Sequence, residues 1–399
     1  MTISAENSNV QTADALYYDP YSVELNMNPF PVFARIREEA PLYYNDTHDF
    51  YALSRYDDVN KALIDHETFI SGKGALLEII KSGMEIPPGT LIFEDPPLHN
   101  IQRNLLSRMF TPRKVAALEP QIREFTARCL DPLVGTGKFD FVNDLGEQMP
   151  MRVIGMLLGI PEEHQRRVAD HGEATLQGQQ ALMASGEVFA EFIDYRTEHP
   201  SDDIMTELLN VEFTDETGTV RRLRREELLM YLTVVATAGA ETTTRLIGWA
   251  GKTLADHPDQ RRELAENPAL IPQAIEEILR WEPPALQMAR YVARDTEHYG
   301  QTVPEGSAML LLVGASNRDH RRFPPDGDVF DIDREQHSHL TFGAGTHFCM
   351  GNALARMEGR IALEEIFKRF PTWEVDWPNA HPSQTTAVRG WESMPTFVS

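Results

Sequence analysis

The stretch that decides the fold is Phe342-Gly-Ala-Gly345-Thr-His-Phe-Cys349-Met-Gly351, followed by the helical run Asn352-Ala-Leu-Ala-Arg356. It is a glycine-rich loop that presents one cysteine just ahead of a helix. Backbone N–H groups at a helix start can donate to a thiolate and lower its pKa. Gly345 and Gly351 permit tight backbone close to a flat ligand. A lone cysteine is more often a buried structural residue. The constellation around this one is too specific for a chain of ordinary composition to carry by accident.

Outward from this loop, Glu277-Ile-Leu-Arg280 closes a helix that Trp281-Glu-Pro-Pro284 terminates. Residues three apart share a helix face and can bond side by side, although most such pairs are solvated. Further upstream, helical periodicity runs unbroken from Glu226 to Ala255. At roughly 30 residues this far exceeds the ~11–12 of an average helix, so it is expected to cross the whole molecule. Its middle, Leu232 to Ala240, is almost entirely apolar or small, and Glu241-Thr-Thr-Thr244 then interrupts the run. Threonine hydroxyls can bond the carbonyl one turn back and bend a helix. A local rule broken in the centre of a buried helix marks a place where function is expected.

Other helical patterns cover Arg113 to Leu133, Met151 to Leu158, Ile271 to Arg280 and Leu354 to Phe370. Strand signals are fewer. Pro41–Tyr44 and Phe50–Leu53 flank a polar turn, and a second pair flanks Pro304-Glu-Gly306 and runs on into Ala308–Val313. The expectation is a mainly α protein with a minor β-sheet. No repeat or linker divides its 399 residues. The net charge of -24 disfavours nucleic acid or an anionic membrane as a general partner. No run reaches the ~20 apolar residues of a membrane span, and the polar N-terminus lacks a signal-peptide core. With only two cysteines, Cys129 and Cys349, there is no disulfide framework, and a reduced, cytoplasmic setting is expected. A zinc or thiol enzyme fails for want of ligands, since Cys129 lies in a helical pattern far from any histidine cluster.

In this order along the chain, the cysteine loop, the Glu277–Arg280 pair and the Ala238-Gly239-Ala240-Glu241-Thr242-Thr243 segment resemble the cytochrome P-450 superfamily, from about Asp19 to Val398. The resemblance implies a single cytochrome P-450 domain over residues 19–399, behind a disordered leader of residues 1–18. It implies haem b (iron protoporphyrin IX) with Cys349 as the metal ligand, in a loop that includes Phe342, Gly345 and Gly351. Ala238 and Gly239 would leave room for dioxygen, and Glu241 and Thr242 would deliver protons. Glu277 and Arg280, joined by Arg334 of Asp331-Ile-Asp-Arg334, would support the fold. The haem propionates need cationic or hydrogen-bonding partners. By the same resemblance these are His99 and Arg103 in Asp95-Pro-Pro-Leu-His99-Asn-Ile-Gln-Arg103, with Arg290 and His347.

The implied reaction is insertion of one oxygen atom from O2 into a small hydrophobic substrate. A peroxide-using peroxygenase of the same fold, or a non-catalytic haem sensor or carrier, would not require Glu241 and Thr242. No dinucleotide fingerprint is fused to the chain, so a separate ferredoxin and ferredoxin reductase are implied. Arg103, Arg108, Arg113, Lys114, Arg356 and Arg360 lie beside the haem-binding segments and could form a basic docking patch. The substrate pocket is expected to draw on Leu76, Leu77, Ile79, Ile80 and Met84, the first of these in a short lid helix. Val234, Val235, Leu286, Met288, Ala387 and Val388 should contribute further, with a mixed region around Leu176 to Met183.

Overall fold

The computed structural model describes residues 16–86, 89–160, 179–335 and 337–398, with backbone alone for 179–188. Residues 1–15 of the expected leader lie outside these, as do the side chains of the mixed region at Leu176 to Met183. Leu16 and Tyr18, expected within the leader, pack into or against the core instead. Tyr18 is fully buried, its backbone N–H bonded to the Tyr43 hydroxyl and its own hydroxyl 2.9 Å from Gln287.

The long helix is continuous over Arg225–Asp256, 32 residues, which at 1.5 Å per residue is about 48 Å. Thr242, Thr243 and Thr244 all bond back, to the carbonyls of Ala238, Gly239 and Ala240 at 2.9, 3.1 and 3.1 Å. The helix nevertheless keeps its α pattern throughout. Thr244 also reaches sideways to the Gly146 carbonyl at 2.6 Å. Around the long helix pack Gln148–Leu157, Ile271–Trp281 and Asn352–Arg369. They share one large apolar core in which Leu246, Ile247, Ala250 and Leu254 meet Leu145, Ile275 and Ile361. The pattern read as one helix from Arg113 to Leu133 is two, Pro112–Ala117 and Glu119–Leu130, because Pro120 falls in the first turn of the second.

The principal sheet has five strands in the order Leu42–Asn45, Phe50–Leu53, Ala308–Leu311, Met288–Val292 and Phe69–Ile70. The hairpin pairs Leu42 with Leu53 and Asn45 with Phe50. The second expected hairpin does not form. Gln301–Val303 turns back on Thr296–His298 instead, while Ala308–Leu311 runs parallel to Phe50–Leu53 and antiparallel to Met288–Val292. Ala308–Leu311 is buried along its whole length. That is what a strand between two neighbours and two apolar clusters requires.

Candidate functional site

The cysteine loop is closed by its own backbone. The Cys349 N–H donates to the Phe342 carbonyl at 2.8 Å, and the Asn352 side chain donates to the Cys349 carbonyl at 2.7 Å. Gly345 has φ 66°, and a Cβ there would stand 2.8 Å from the Leu63 carbonyl oxygen, so only glycine fits. Gly351 has no such constraint, since a Cβ on it would meet the Cys349 Sγ at an ordinary 3.9 Å. Burial pushes the Cys349 thiol up, and the Gly351 N–H, Arg103 and Arg356 pull against it. The donor effect expected at the helix start is present, but desolvation outweighs it.

Cys349 opens into a cavity of about 320 Å3. Phe342, Met350, Gly351, Leu354 and Ala355 line it from the cysteine side, and Val234, Val235, Ala238, Gly239, Thr242, Thr243 and Leu246 from the long helix. Gly239 has a packing reason as well, because a Cβ on it would lie 2.7 Å from the Ile154 Cδ1. His99, Arg103 and His347 supply the polar wall.

The two imidazoles lie 4.2 Å apart, and each has a buried Nε2 without a hydrogen-bond partner. Burial lowers both, His347 to about 3 with the charges of His99, Arg290 and Arg103 adding to the effect. Arg290 does not line the cavity, although its charge acts on His347. It is 4% exposed, and its one hydrogen bond among the described residues goes to its neighbour's carbonyl, Ala289. Burial brings its guanidinium down to about 10. Buried donors without acceptors are costly unless something anionic completes them. A thiol, two imidazoles and the Arg103 guanidinium on a mostly apolar wall, with the buried Arg290 charge acting on His347, fit a haem with its two carboxylates. Among the described residues no cluster of three or more histidine, cysteine or acidic side chains could hold a metal ion instead.

The acid–threonine pair is split. Thr242 faces the cavity, whereas Glu241 is absent from its wall and points to the loop after His381. Glu277, Arg280 and Arg334 do meet. Glu277 takes two bonds of 2.7 Å from Arg280 and one of 3.2 Å from Arg334, and both arginines also clamp the carbonyl of Val329.

Of the expected substrate-pocket residues, Val234, Val235 and Met288 line the cavity. Leu77 and Leu286 are buried in the core beside the sheet, with Ile80 packed against it, and Leu76 is largely exposed. Val388 and Ala387 sit on the C-terminal loop outside the cavity wall. A short helix does form there, Leu77–Ser82 with Leu76 just ahead of it, but the cavity's lining does not include it.

Half of the basic cluster is spent on ion pairs, and Arg103 bonds the Phe348 carbonyl. Arg356 bonds Glu276, Arg360 bonds Glu119 and Glu364, and Lys114 bonds Glu207. Exposed Arg108 and Arg113 have no such partner among the described residues.

Two residues escaped the sequence reading. Glu358 lines the cavity, is buried, and has its carboxyl pushed well up by that burial. Its signal was an acid at helical spacing between Leu354 and Ile361. Arg245 is a buried cation one turn after Glu241, legible from the i, i+4 spacing.

A family model described as Cytochrome P450 matches residues 139–387. Cytochrome P450 130 of Mycobacterium tuberculosis is 35% identical over 367 residues, covering 87% of this chain and 89% of its own. Vitamin D(3) 25-hydroxylase of Pseudonocardia autotrophica is 34% identical, covering 96% of each. A solved cytochrome P450 structure from Chondromyces apiculatus superposes with a TM-score of 0.84 at 31% identity, covering 96% of this chain and 98% of that one. Among the described residues no helix is long and apolar enough to cross a membrane. Relatives this similar along nearly the whole length, with a cavity whose donors suit haem, show that the chain belongs to the cytochrome P450 family, a monooxygenase that carries haem b.

Proposed function

We propose that this monooxygenase inserts one oxygen atom of O2 into a neutral, largely hydrophobic substrate, with electrons from a separate ferredoxin and its reductase in the cytoplasm. The observation that carries the substrate reading is the cavity's division of labour. Its charged and imidazole groups lie together in His99, Arg103 and His347, where the haem carboxylates need them, and the helix wall offers Val234, Val235, Ala238 and Leu246. Burial also pushes the carboxyl of Glu358, an acid on the wall, well up. No cation is left to fix a substrate carboxylate among the described lining residues. Apolar burial at ~25 cal/mol per Å2 would then supply most of the binding energy.

Bound haem, with Cys349 as its thiolate ligand, supplies the oxygen-activating chemistry, the thiolate pushing electron density onto iron. The chain's own residues orient the substrate and manage protons. Thr242 lines the cavity with its hydroxyl bonded back to the Ala238 carbonyl, and Glu241, one residue earlier, passes protons to that side. Retention of this pair favours O2 over peroxide as the oxidant, and turnover over mere haem carriage. Titration with matched pairs, a hydrocarbon ester against its free acid, tests the substrate reading. The ester should give the tighter binding and the fuller haem spin-state change. A consistent preference for the acid would show a cationic anchor and overturn it.

A further inference from the structure

Glu241 turns away from the cavity, and what it turns toward is specific. Its Oε1 lies 3.5 Å from Arg245 Nη2 and 3.5 Å from the Thr385 hydroxyl. Arg245 is buried and its other bonds are tighter. It donates to the Ser383 hydroxyl at 3.0 Å and to the Trp391 carbonyl. Gly390 leaves the space for it, since a Cβ there would stand 2.5 Å from the Arg245 Cδ. Arg245 is therefore fastened to the C-terminal loop, and Glu241 is held at the outer limit of a hydrogen bond. Releasing Glu241 loses little, whereas moving Arg245 would strip two bonds from a buried cation.

The Ser383 and Thr385 hydroxyls are 3.3 Å apart. Ser383 is buried, Thr385 is half-buried and Gln384 between them is exposed. A hydroxyl pair thus stands between the Glu241 carboxyl and the surface.

Resting on the reading that Glu241 passes protons, we propose that Arg245 is a positioning residue that holds Glu241 against the Ser383–Thr385 hydroxyl pair, and that this pair is the route by which solvent protons reach it. The Thr385 hydroxyl, whose nearer acceptor is the Val388 carbonyl at 2.9 Å, turns its hydrogen to the carboxylate and takes another from the solvent side. The neutral acid is no longer bound by the Arg245 charge. It turns toward Thr242, gives up the proton there, and returns as a carboxylate to Arg245. Burial pushes the Glu241 carboxyl up, and the Arg245 charge, its hydrogen bond and then Thr385 pull it down. Among the described residues Arg245 is the one charge acting on it; the loop meets it with the Thr385 hydroxyl, and the loop's own acid, Glu392, accepts from the Gln384 N–H at 3.3 Å.

The test follows the Glu241 carboxyl by infrared difference spectroscopy of the haem-loaded protein, identified as the protonated-acid band lost in Glu241→Gln. Arg245→Gln should raise the pH midpoint of that band by about one unit or more, while Arg245→Lys stays near wild type. Thr385→Val should slow hydrogen–deuterium exchange of the carboxyl roughly tenfold. An unmoved midpoint in Arg245→Gln, an unchanged exchange rate in Thr385→Val, or no band at any pH where the protein is folded overturns the proposal. If Arg245→Gln does not fold, Arg245→Lys and Thr385→Val decide. Turnover of Glu241→Gln is scored separately. Wild-type turnover there would sink the relay reading while the infrared result still judged the positioning.

Discussion

Cys349 and Cys129 differ in what surrounds the sulfur. Both thiols are raised by burial, but Cys349 opens into the cavity and has the Gly351 N–H as a donor. Cys129 sits in the helix Glu119–Leu130 outside that wall. Cys349→Ala should abolish the thiolate-type absorption band of the reduced carbon monoxide complex, and Cys129→Ala should keep it. Thr242→Ala should still bind substrate, yet release several-fold more hydrogen peroxide and less product per NAD(P)H consumed. Peroxide and product assays on the same sample check this, and unchanged coupling would remove Thr242 from proton handling. The cysteine loop was legible because its parts are consecutive in the chain. Which way Glu241 faces was not, because Arg245 lies one turn along the same helix but the Thr385 hydroxyl and the loop that fastens Arg245 join them only in the fold.

At the scale of elements, the helix Ile271–Trp281 carries adjacent acids on two faces. Glu277 ties it to Arg280 and Arg334, all nearly fully buried. Glu277→Ala would leave two buried guanidiniums without their carboxylate, a loss of about 3–5 kcal/mol, read as a lowered unfolding midpoint in denaturant. Glu276 ties the helix to Arg356 of the Asn352–Arg369 helix and to His339. Burial raises its carboxyl, but those bonds bring it down to about 2. Its folded value lies below its unfolded one. The stability it contributes is therefore complete above about 4.5 and is lost as pH falls toward 2. Glu276→Gln should be less stable than wild type at neutral pH, and the difference should vanish on acid titration followed by circular dichroism. Element existence was readable from periodicity. Strand partnership was not, since Ala308–Leu311 found its neighbours in Phe50–Leu53 and Met288–Val292 rather than in the adjacent turn.

Over the whole molecule, the charge of -24 coexists with a small basic region in which Lys114, Arg356 and Arg360 are neutralised by ion pairs. If the electron donor is the acidic ferredoxin proposed above, Arg108 and Arg113 are the exposed, unpaired cations of that region, among the described residues, that would steer it. Steered association weakens with salt. Stopped-flow reduction should therefore slow as ionic strength rises, and Arg113→Glu should slow it several-fold at low salt and little at high salt. Rates indifferent to both would remove the docking reading.

The cavity wall is drawn from stretches far apart in the chain, around Leu91 to Phe110, Ile154, Val234 to Leu246, Leu279 to Met288 and Thr341 to Glu358. A ligand seated among them acts as an internal cross-link, and its binding energy is added to the cost of opening any one of them. Haem loading should therefore protect all of these stretches from proteolysis together, not one at a time.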